Sequence, residues 1–267
     1  MISATLSHAD LLALFDREQR REIVFPNVRR EVTPHVIRHV PLEGMAGGCF
    51  IAYSCLDETN ADVAIEEQIA YFEGLGLDFE WKHYDHDTPA DLLQRLAARG
   101  FEIEEAEAVC VLDLADAPAF YWQPVTHDIR RITDPARLAD VVAVHDAVWP
   151  ENAGPLAQLL AQEMAHDAEA IHLYAAYADA APVCSAWIRF HAGTQFASLW
   201  GGATLPAYRR RGFYSAMLAV RAQEARRRGF RFLTIDASPM SRPIVEKHGF
   251  RLLTFSHPCK WRVRRGS

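Results

Sequence analysis

The amino-acid sequence predicts an α/β (α+β) fold with two mixed, mostly antiparallel sheets flanked by helices. Three observations predict it: helix and strand patterns alternate along the chain, three apolar segments follow one another at hairpin spacing, and one order of elements occurs twice. A length of 267 residues is long for one small α/β domain, so we expect two domains, residues 1–124 and 125–267. A polar segment with Asp116, Pro118 and Pro124 joins them.

The first series of helices and strands lies between residues 65 and 114. An amphipathic helix ends at Gly74-Leu75-Gly76, a strand follows, Pro89 starts a second helix that ends at Gly100-Phe101, and another strand comes next. The defining residues are Ile65, Ile69, Phe72 and Leu75 for the first helix, 79–84 for the strand, Leu92, Leu93 and Leu96 for the second helix, and 108–114 for the last strand. The same order recurs after residue 213, which predicts two related halves.

The second half opens with a strand at 129–132 and two helices. Asp134-Pro135 caps the first helix, since an aspartate side chain accepts hydrogen bonds from the first helical turn. The second helix covers about residues 155–165. Three strands then follow at 172–178, 183–191 and 196–204. We expect these strands to pair in antiparallel order, because the turns between them are short.

The segment Gly201–Tyr214 runs from the last of these strands through a basic turn into a helix. The first turn of a helix leaves N–H groups without intrahelical partners and carries the positive end of the helix dipole. A diphosphate can accept those hydrogen bonds. The cations of Arg209–Arg211 add positive charge, and Gly212 lets the backbone approach the anion closely. The sequence therefore predicts a phosphate-binding turn here.

The elements after this turn complete a recognisable order. They are a helix end with cations at 226–228 and a stop at Gly229, a strand at 232–236, and a short helix at 241–248 that ends at Gly249-Phe250. The series resembles the GNAT superfamily of acyl-CoA-dependent N-acyltransferases. In that family the turn begins with glutamine or arginine, has glycine at its fourth place and ends on glycine or alanine at its sixth. The segment Arg209–Phe213 fills the first five places, and Tyr214 occupies the sixth.

The resemblance implies a site for acetyl-CoA in the second half alone. In the family, the backbone of the strand that precedes the turn pairs with the pantetheine arm, and Ser238 stands where an asparagine often contacts that arm. The residues expected to contact the coenzyme are Ala203, Thr204, Leu205, Arg209, Arg210, Arg211, Gly212, Phe213, Tyr214 and Ser238. In the first half, a turn with Asp57, Glu58 and Asp62 would repel a diphosphate, so we expect this half to be degenerate.

The reaction that the resemblance implies is transfer of an acetyl group from acetyl-CoA to a primary amine by direct attack in a ternary complex. An alkylammonium is protonated at pH 7, so the site needs a proton acceptor. Side chains that could face the amine are His145, Asp146, Glu151, His191 and Asp236, the last of which could instead cap the turn that follows it. Many family members protonate the leaving thiolate with a tyrosine, but Val245 stands at that position. Solvent or Tyr214 could replace it, and the alternative function is a non-catalytic acyl-CoA-binding sensor or scaffold.

The composition argues against several other functions. A net charge of −7 disfavours nucleic-acid binding, and no segment reaches the ~18 apolar residues of a membrane helix. Five cysteines without a C-x-x-C pair indicate reduced thiols in or near the core, so we expect a cytoplasmic protein. His83-x-x-His86-Asp87 has no further ligand pair, and we expect it on the surface without a metal. The expected partner is a small-molecule or peptide amine. The sequence leaves open whether the chain forms a homodimer.

Overall fold

The computed structural model describes residues 6–25, 27–150 and 156–263, which divide into two compact units. The N-terminal unit contains Ile2–Cys110, Asp236–Ile244 and Leu252–Ser267, and the C-terminal unit contains Val111–Ile235 and Val245–Arg251. The N-terminal unit thus includes two segments from the end of the chain. The domain boundary expected between residues 124 and 125 stays a prediction.

The N-terminal unit is a mixed sheet with helices. Its elements are α1 (His8–Phe15), which continues as a π-helical turn (Asp16–Arg21), β1 (Val28–Val32), β2 (Val36–Pro41), β3 (Cys49–Ser54), α2 (Ala61–Leu75), β4 (Phe79–Tyr84), α3 (Leu92–Ala98), β5 (Glu102–Ile103) and most of β12 (Arg251–Trp261). The strand order is β1-β2-β3-β4-β12, with β5 on β12. Only β3 and β4 pair in parallel among these strands. Another strand, β6 (Glu107–Asp113), begins in this unit and ends in the C-terminal unit.

The C-terminal unit repeats this mixture of elements. They are a 3-10 turn (Ala119–Trp122), β7 (Asp128–Ile132), a 3-10 turn (Pro135–Arg137), α4 (Leu138–Val148), α5 (Leu156–His166), β8 (Ile171–Ala178), β9 (Ala181–Phe190), β10 (Phe196–Thr204), a 3-10 turn (Pro206–Tyr208), α6 (Phe213–Arg227) and most of β11 (Phe232–Ala237). The strand order is β11-β10-β9-β8-β7, in which β10 and β11 are parallel and the others antiparallel. A short helix, α7 (Arg242–Lys247), contributes residues to both units.

Each unit buries the apolar stripe that its sequence pattern predicts. In the N-terminal unit, Ile65 and Phe72 of α2 pack with Trp81 of β4 in one buried cluster. Gly76 ends α2 in the left-handed conformation, with a φ of 68°, which glycine adopts without steric cost. In the C-terminal unit, Val141 of α4 belongs to the buried cluster, as do residues of α5, β8 and β9. The predicted fold class, with mostly antiparallel sheets flanked by helices, is confirmed.

The two units share a local sheet geometry. In each, one strand pairs with a parallel neighbour over three residue pairs, Cys49–Ile51 with Phe79–Trp81 and Phe196–Ser198 with Phe232–Thr234. The same strand carries a bulge toward its antiparallel neighbour, since Ala52 is an extra residue opposite β2 and Gly201-Gly202 face Ala186 alone in β9. The internal repeat expected from the sequence therefore extends to the pairing of individual strands.

Several expectations need correction or fall outside the described residues. The helix expected near residues 155–165 is α5, and Pro155 lies outside the part of the chain that the structure describes. Four cysteines are buried as expected, but Cys55 is exposed. Sequence reasoning assigned no element to the first 60 residues, which contain α1 and β1 to β3. No helix within the described ranges is long and apolar enough to cross a membrane.

Candidate functional site

The start of α6 is shaped to receive an anion. Gly212 is the N-cap residue, its φ is 83°, and the first intrahelical hydrogen bond runs from Ala216 N to Gly212 O over 2.9 Å. The N–H groups of the first turn therefore project from the helix end. No acidic residue lies in this turn, and the side chains of Arg209–Arg211 just before it are exposed. Positive charge and free donors thus meet where the sequence predicts a diphosphate.

A histidine that the sequence analysis did not single out supports this turn. His127 Nε2 donates a hydrogen bond of 3.1 Å to Arg211 O, and its ring packs against the ring of Phe213. A Cβ atom added to Gly212 would lie 3.2 Å from this histidine ring. The turn also holds Arg210 at a φ of 60°, a left-handed conformation that is strained for a side chain with a Cβ atom. His127 lies 85 residues before Gly212, so no local pattern could have revealed it.

The edge of β10 beyond Ser198 presents backbone groups that β9 does not use. The parallel pairing with β11 ends at Ser198, while the antiparallel pairing with β9 continues to Thr204. Leu205 N donates to Val183 O over 3.0 Å, and because antiparallel bonding alternates, the N–H of Thr204 points away from β9. Its carbonyl oxygen accepts a hydrogen bond of 3.2 Å from Arg209 Nε. Ala203, Thr204 and Leu205 are the residues expected to face the pantetheine arm. Of these three, Thr204 is the one whose N–H points away from β9.

The bulge of β10 is enclosed by two aromatic rings. A Cβ atom added to Gly201, which has a φ of 60°, would overlap the indole ring of Trp187, so only glycine fits there. On Gly202, an added Cβ atom would lie 3.3 Å from the ring of Tyr214. Burial raises the pKa of Tyr214, and the charge of Arg221 opposes that shift. The tyrosine at the sixth place of the turn thus packs against the bulge.

Arg221 of α6 lies beneath the bulge and is 1% exposed. Its Nη1 donates to Trp187 O over 3.1 Å and more weakly to Trp200 O over 3.5 Å, and its Nε donates to Met217 O. Burial lowers the pKa of this guanidinium. The two tryptophan carbonyls stand at the start of the bulge, so Arg221 stabilises its backbone. Sequence reasoning missed this residue because an arginine within an amphipathic helix resembles ordinary surface charge.

The histidines considered as bases differ in their surroundings. His145 of α4 is largely buried, its Nδ1 lies 3.4 Å from Asp146 Oδ1, and its ring contacts the ring of Trp187 at a centroid distance of 5.9 Å. His191 is buried against Ser198, and burial lowers its pKa to about 3. A base this weak holds no proton at neutral pH. Glu151 lies outside the described residues.

Asp236 and Ser238 belong to the N-terminal unit. Asp236 forms an ion pair with Lys82 of β4. Ser238 itself caps the following turn, because its Oγ and its carbonyl oxygen both accept from Ser241 N, over 3.3 and 3.0 Å. Asp236 is therefore not the cap of this turn. Near the ion pair, burial raises the pKa values of Glu80 and Glu107.

The N-terminal unit fills its own bulge with a side chain. Arg20, from the π-helical turn, is 1% exposed and donates from Nε to the carbonyl oxygen of Ala52 over 3.2 Å. Its Nη1 and Nη2 donate to Asp16 and Asp87 over 2.7 and 2.6 Å. His86 Nε2 lies 3.0 Å from Asp16 Oδ1. The bulge carbonyl of β3 is thus bound by a buried arginine that is itself ion-paired.

This network corrects the surface position expected for the His83, His86 and Asp87 motif. His83 and Asp87 are buried, and Arg20 supplies the charge that the buried carboxylate of Asp87 requires. Across residues 6–25, 27–150 and 156–263, no three or more His, Cys, Asp or Glu side chains are grouped to hold a metal ion. At the acidic turn before α2, Asp57 Oδ1 accepts from Thr59 N and Asn60 N over 2.8 and 3.1 Å, where a phosphate would need donors.

Comparison with known proteins gives a family match in the C-terminal part of the chain. Residues 138–250 match the model of the Acetyltransferase (GNAT) family. The chain is similar in structure to a GCN5-related N-acetyltransferase from Kribbella flavida, with 15% sequence identity, a TM-score of 0.68 and 98% of each chain covered. It is also similar to a tandem GNAT protein from the clavulanic acid biosynthesis pathway, with 11% identity, a TM-score of 0.60, and 92% of this chain and 86% of that chain covered. At identities this low, the similarity to these two structures shows a shared fold alone. The comparison with curated proteins returned no match.

Proposed function

We propose that this chain, whose residues 138–250 form a GNAT acetyltransferase domain, transfers the acetyl group of acetyl-CoA to a primary amine. The amine of a small molecule or peptide attacks the thioester directly while both substrates are bound. One observation carries the proposal. The helix that starts at Gly212 has no acidic residue in its first turn and follows three arginines, and the strand before it has an edge from which the Thr204 N–H points outward. Together these features offer one site for a diphosphate and one for an acyl carbonyl.

The diphosphate is held by the first turn of α6. Its N–H groups donate to the phosphate oxygens, and the helix dipole favours the negative charge. The side chains of Arg209, Arg210 and Arg211 reach the outer phosphates. Arg209 has a second role, since its Nε already binds the carbonyl oxygen of Thr204 and so couples the turn to the strand edge.

The thioester carbonyl is polarised by the N–H of Thr204. As the amine attacks, negative charge develops on the carbonyl oxygen, and a fixed backbone donor stabilises it more strongly than it stabilises the neutral thioester. The pantetheine arm extends along the same edge. Cys184 takes no part as a nucleophile, because its thiol accepts from Thr204 Oγ1 over 3.2 Å and burial raises its pKa.

His145 is the side chain that we propose as the proton acceptor for the amine. One ring, that of Trp187, separates His145 from the bulge, whereas His191 is a weak base because burial lowers its pKa to about 3. A water molecule would carry the proton between amine and imidazole. Replacing His145 with glutamine should lower kcat/KM by ~10²-fold at neutral pH. The matched change at the exposed His166 of α5 should leave activity unchanged.

The overall proposal is tested by two measurements on the full chain. Calorimetric titration with coenzyme A should give one site per chain, and a thiol-release assay with acetyl-CoA over a panel of primary amines should show release that depends on the amine. Two sites per chain would contradict the assignment to the C-terminal unit. Binding without release for every amine would instead identify a non-catalytic acyl-CoA-binding module. We place the reaction in the cytoplasm, which suits five cysteines without a disulfide bond.

A further inference from the structure

Each unit contains a fully buried arginine that binds a main-chain oxygen at the bulge of its central strand. In the N-terminal unit Arg20 donates to Ala52 O, the oxygen of the bulge residue itself. In the C-terminal unit Arg221 donates to Trp187 O and Trp200 O, which flank Gly201-Gly202. Both side chains are 1% exposed. Their backbone role is the same, which makes their charge environments directly comparable.

The two arginines differ in the charge that opposes theirs. Arg20 forms ion pairs with Asp16 and Asp87, so its positive charge is compensated within the unit. Arg221 has no carboxylate partner among the described residues, and the groups that its charge acts on are neutral: Tyr214, Cys184, Tyr121 and Tyr174. A buried cation without a counter-ion is costly, and three carbonyl dipoles compensate it only in part. The C-terminal bulge therefore carries an excess of positive charge.

That excess lies beside the strand edge at which we propose that the thioester binds. The Thr204 N–H that polarises the thioester comes two residues after the bulge, and Arg221 binds the carbonyl oxygen of the residue that precedes it. Resting on the proposed function, we propose that the uncompensated charge of Arg221 stabilises the coenzyme A thiolate as it leaves the thioester, in place of a proton donor. The charge of Arg221 acts on the sulfur at a distance, and its hydrogen bonds hold the backbone of the bulge. Because it acts through the bulge, we regard Arg221 as a positioning residue.

The step balances without an acid. The amine nitrogen forms a bond to the carbonyl carbon, the bond between carbon and sulfur breaks, and its electron pair stays on sulfur as a thiolate. The proton of the attacking amine goes to His145 or to solvent. No proton has to reach the sulfur before the product leaves, which fits the buried, apolar Val245 where the family resemblance implies a tyrosine.

The thiol of bound coenzyme A reports this charge directly. A free thiol has a pKa of about 8.5, and a unit charge about 10 Å away at an effective dielectric of about 20 shifts it by about one unit. We expect the thiol of coenzyme A bound to the wild-type chain to titrate about one unit below the free value, when followed by thiolate absorbance at saturating protein. Arg221→Met should remove most of this shift, and Arg221→Lys, which keeps a charge, should retain most of it.

Two control variants separate this electrostatic effect from others. Arg211→Met removes an exposed charge at the diphosphate and should weaken coenzyme binding, while the thiol of the bound coenzyme keeps its wild-type pKa. Arg189→Met removes a charge that Glu163 compensates through two hydrogen bonds of 2.9 Å, and should leave that pKa unchanged. In the transferase assay, Arg221→Met should lower kcat by ~10-fold and leave the KM for acetyl-CoA within about twofold, since about one pKa unit corresponds to one factor of ten.

The outcomes test the role of Arg221 separately from the proposed acetyl transfer. A wild-type thiol that titrates at its free value, or an Arg221→Met thiol that titrates like that of the wild type, overturns the inference even when amines are acetylated. Where Arg221→Met does not fold, a folded Arg221→Lys variant whose bound thiol titrates at the free value overturns it. Where coenzyme A binds and no amine is acetylated, the proposed function fails and the thiol titration still decides the role of Arg221. Absence of coenzyme binding overturns both.

Discussion

The indole ring of Trp187 lies on Gly201 so closely that a Cβ atom on this glycine would overlap it. The contact fixes the bulge of β10, because Trp187 and Trp200 are the last residue pair before the register shifts. It also connects the bulge to α4, since the ring of His145 contacts the ring of Trp187. The shape of the strand edge is therefore set by a side chain of the neighbouring strand.

Gly201→Ala tests the importance of that contact. The left-handed conformation costs a residue with a Cβ atom about 1–2 kcal/mol, and overpacking adds roughly 1–3 kcal/mol. We expect the free energy of unfolding to fall by about 2–5 kcal/mol in urea denaturation. Gly193→Ala is the matched control, since Gly193 has a φ of 77° with open space around its Cβ position. Equal losses in the two variants would show that the Trp187 contact does not constrain the bulge.

A second glycine pair tests the coenzyme turn. Gly212 and Gly229 have φ values of 83° and 85°, so alanine at either position meets the same backbone strain. An alanine Cβ at Gly212 would also press on His127, and we expect it to shift the N–H groups that we propose to bind the diphosphate. We expect calorimetry to show that the affinity for coenzyme A falls by ~10-fold in Gly212→Ala and stays at the wild-type level in Gly229→Ala. An unchanged affinity in Gly212→Ala would move the diphosphate elsewhere.

The Arg20 network makes the stability of the N-terminal unit depend on pH. Burial by itself raises the pKa of Asp16, but the neighbouring His86 and the charge of Arg20 outweigh it and hold this pKa below its usual value of 3.8. A depressed pKa contributes stability that is present above about pH 4 and is lost as the pH falls through the folded-state pKa. Asp16→Asn should therefore unfold at lower urea than the wild type at pH 7. The gap should narrow below pH 4, and a constant gap from pH 7 to pH 3 would contradict this role.

The parts of the fold that were predictable are those with local patterns. The bounds of β4 agree to the residue with the predicted strand, and α6 begins at Phe213 as the basic turn indicates. The Gly249-Phe250 signal correctly marks the end of α7, since Gly249 follows it with a φ of 94°. In each case the signal, either the spacing of apolar residues or a glycine at the end of an element, lies within about 15 residues of the chain.

The interactions that sequence reasoning missed join residues far apart in the chain. Arg20 and Asp87 are separated by 67 positions, so the motif at His83 and Asp87 gave no sign of its buried counter-charge. His127 and Arg211 are separated by 84 positions. Arg221 was missed for another reason: its spacing in α6 fits either an exposed or a buried position, and only the bulge of β10 creates carbonyl oxygens that need a donor.

The role of Tyr214 follows from its packing and from its pKa. Its ring fills the space beside Gly202, and burial raises the pKa of the phenol, so it stays neutral over the working range of pH. If the thiolate leaves without a proton donor, Tyr214→Phe keeps the ring, loses nothing that the reaction uses, and should retain kcat within about threefold. The rate should rise with pH up to about pH 9 without a falling limb, since the amine loses its proton over this range and no acid on the enzyme is being titrated. A hundredfold loss in Tyr214→Phe, with coenzyme affinity and folding unchanged, would instead make this phenol the proton donor for the thiolate, and the charge of Arg221 would then have a structural purpose alone.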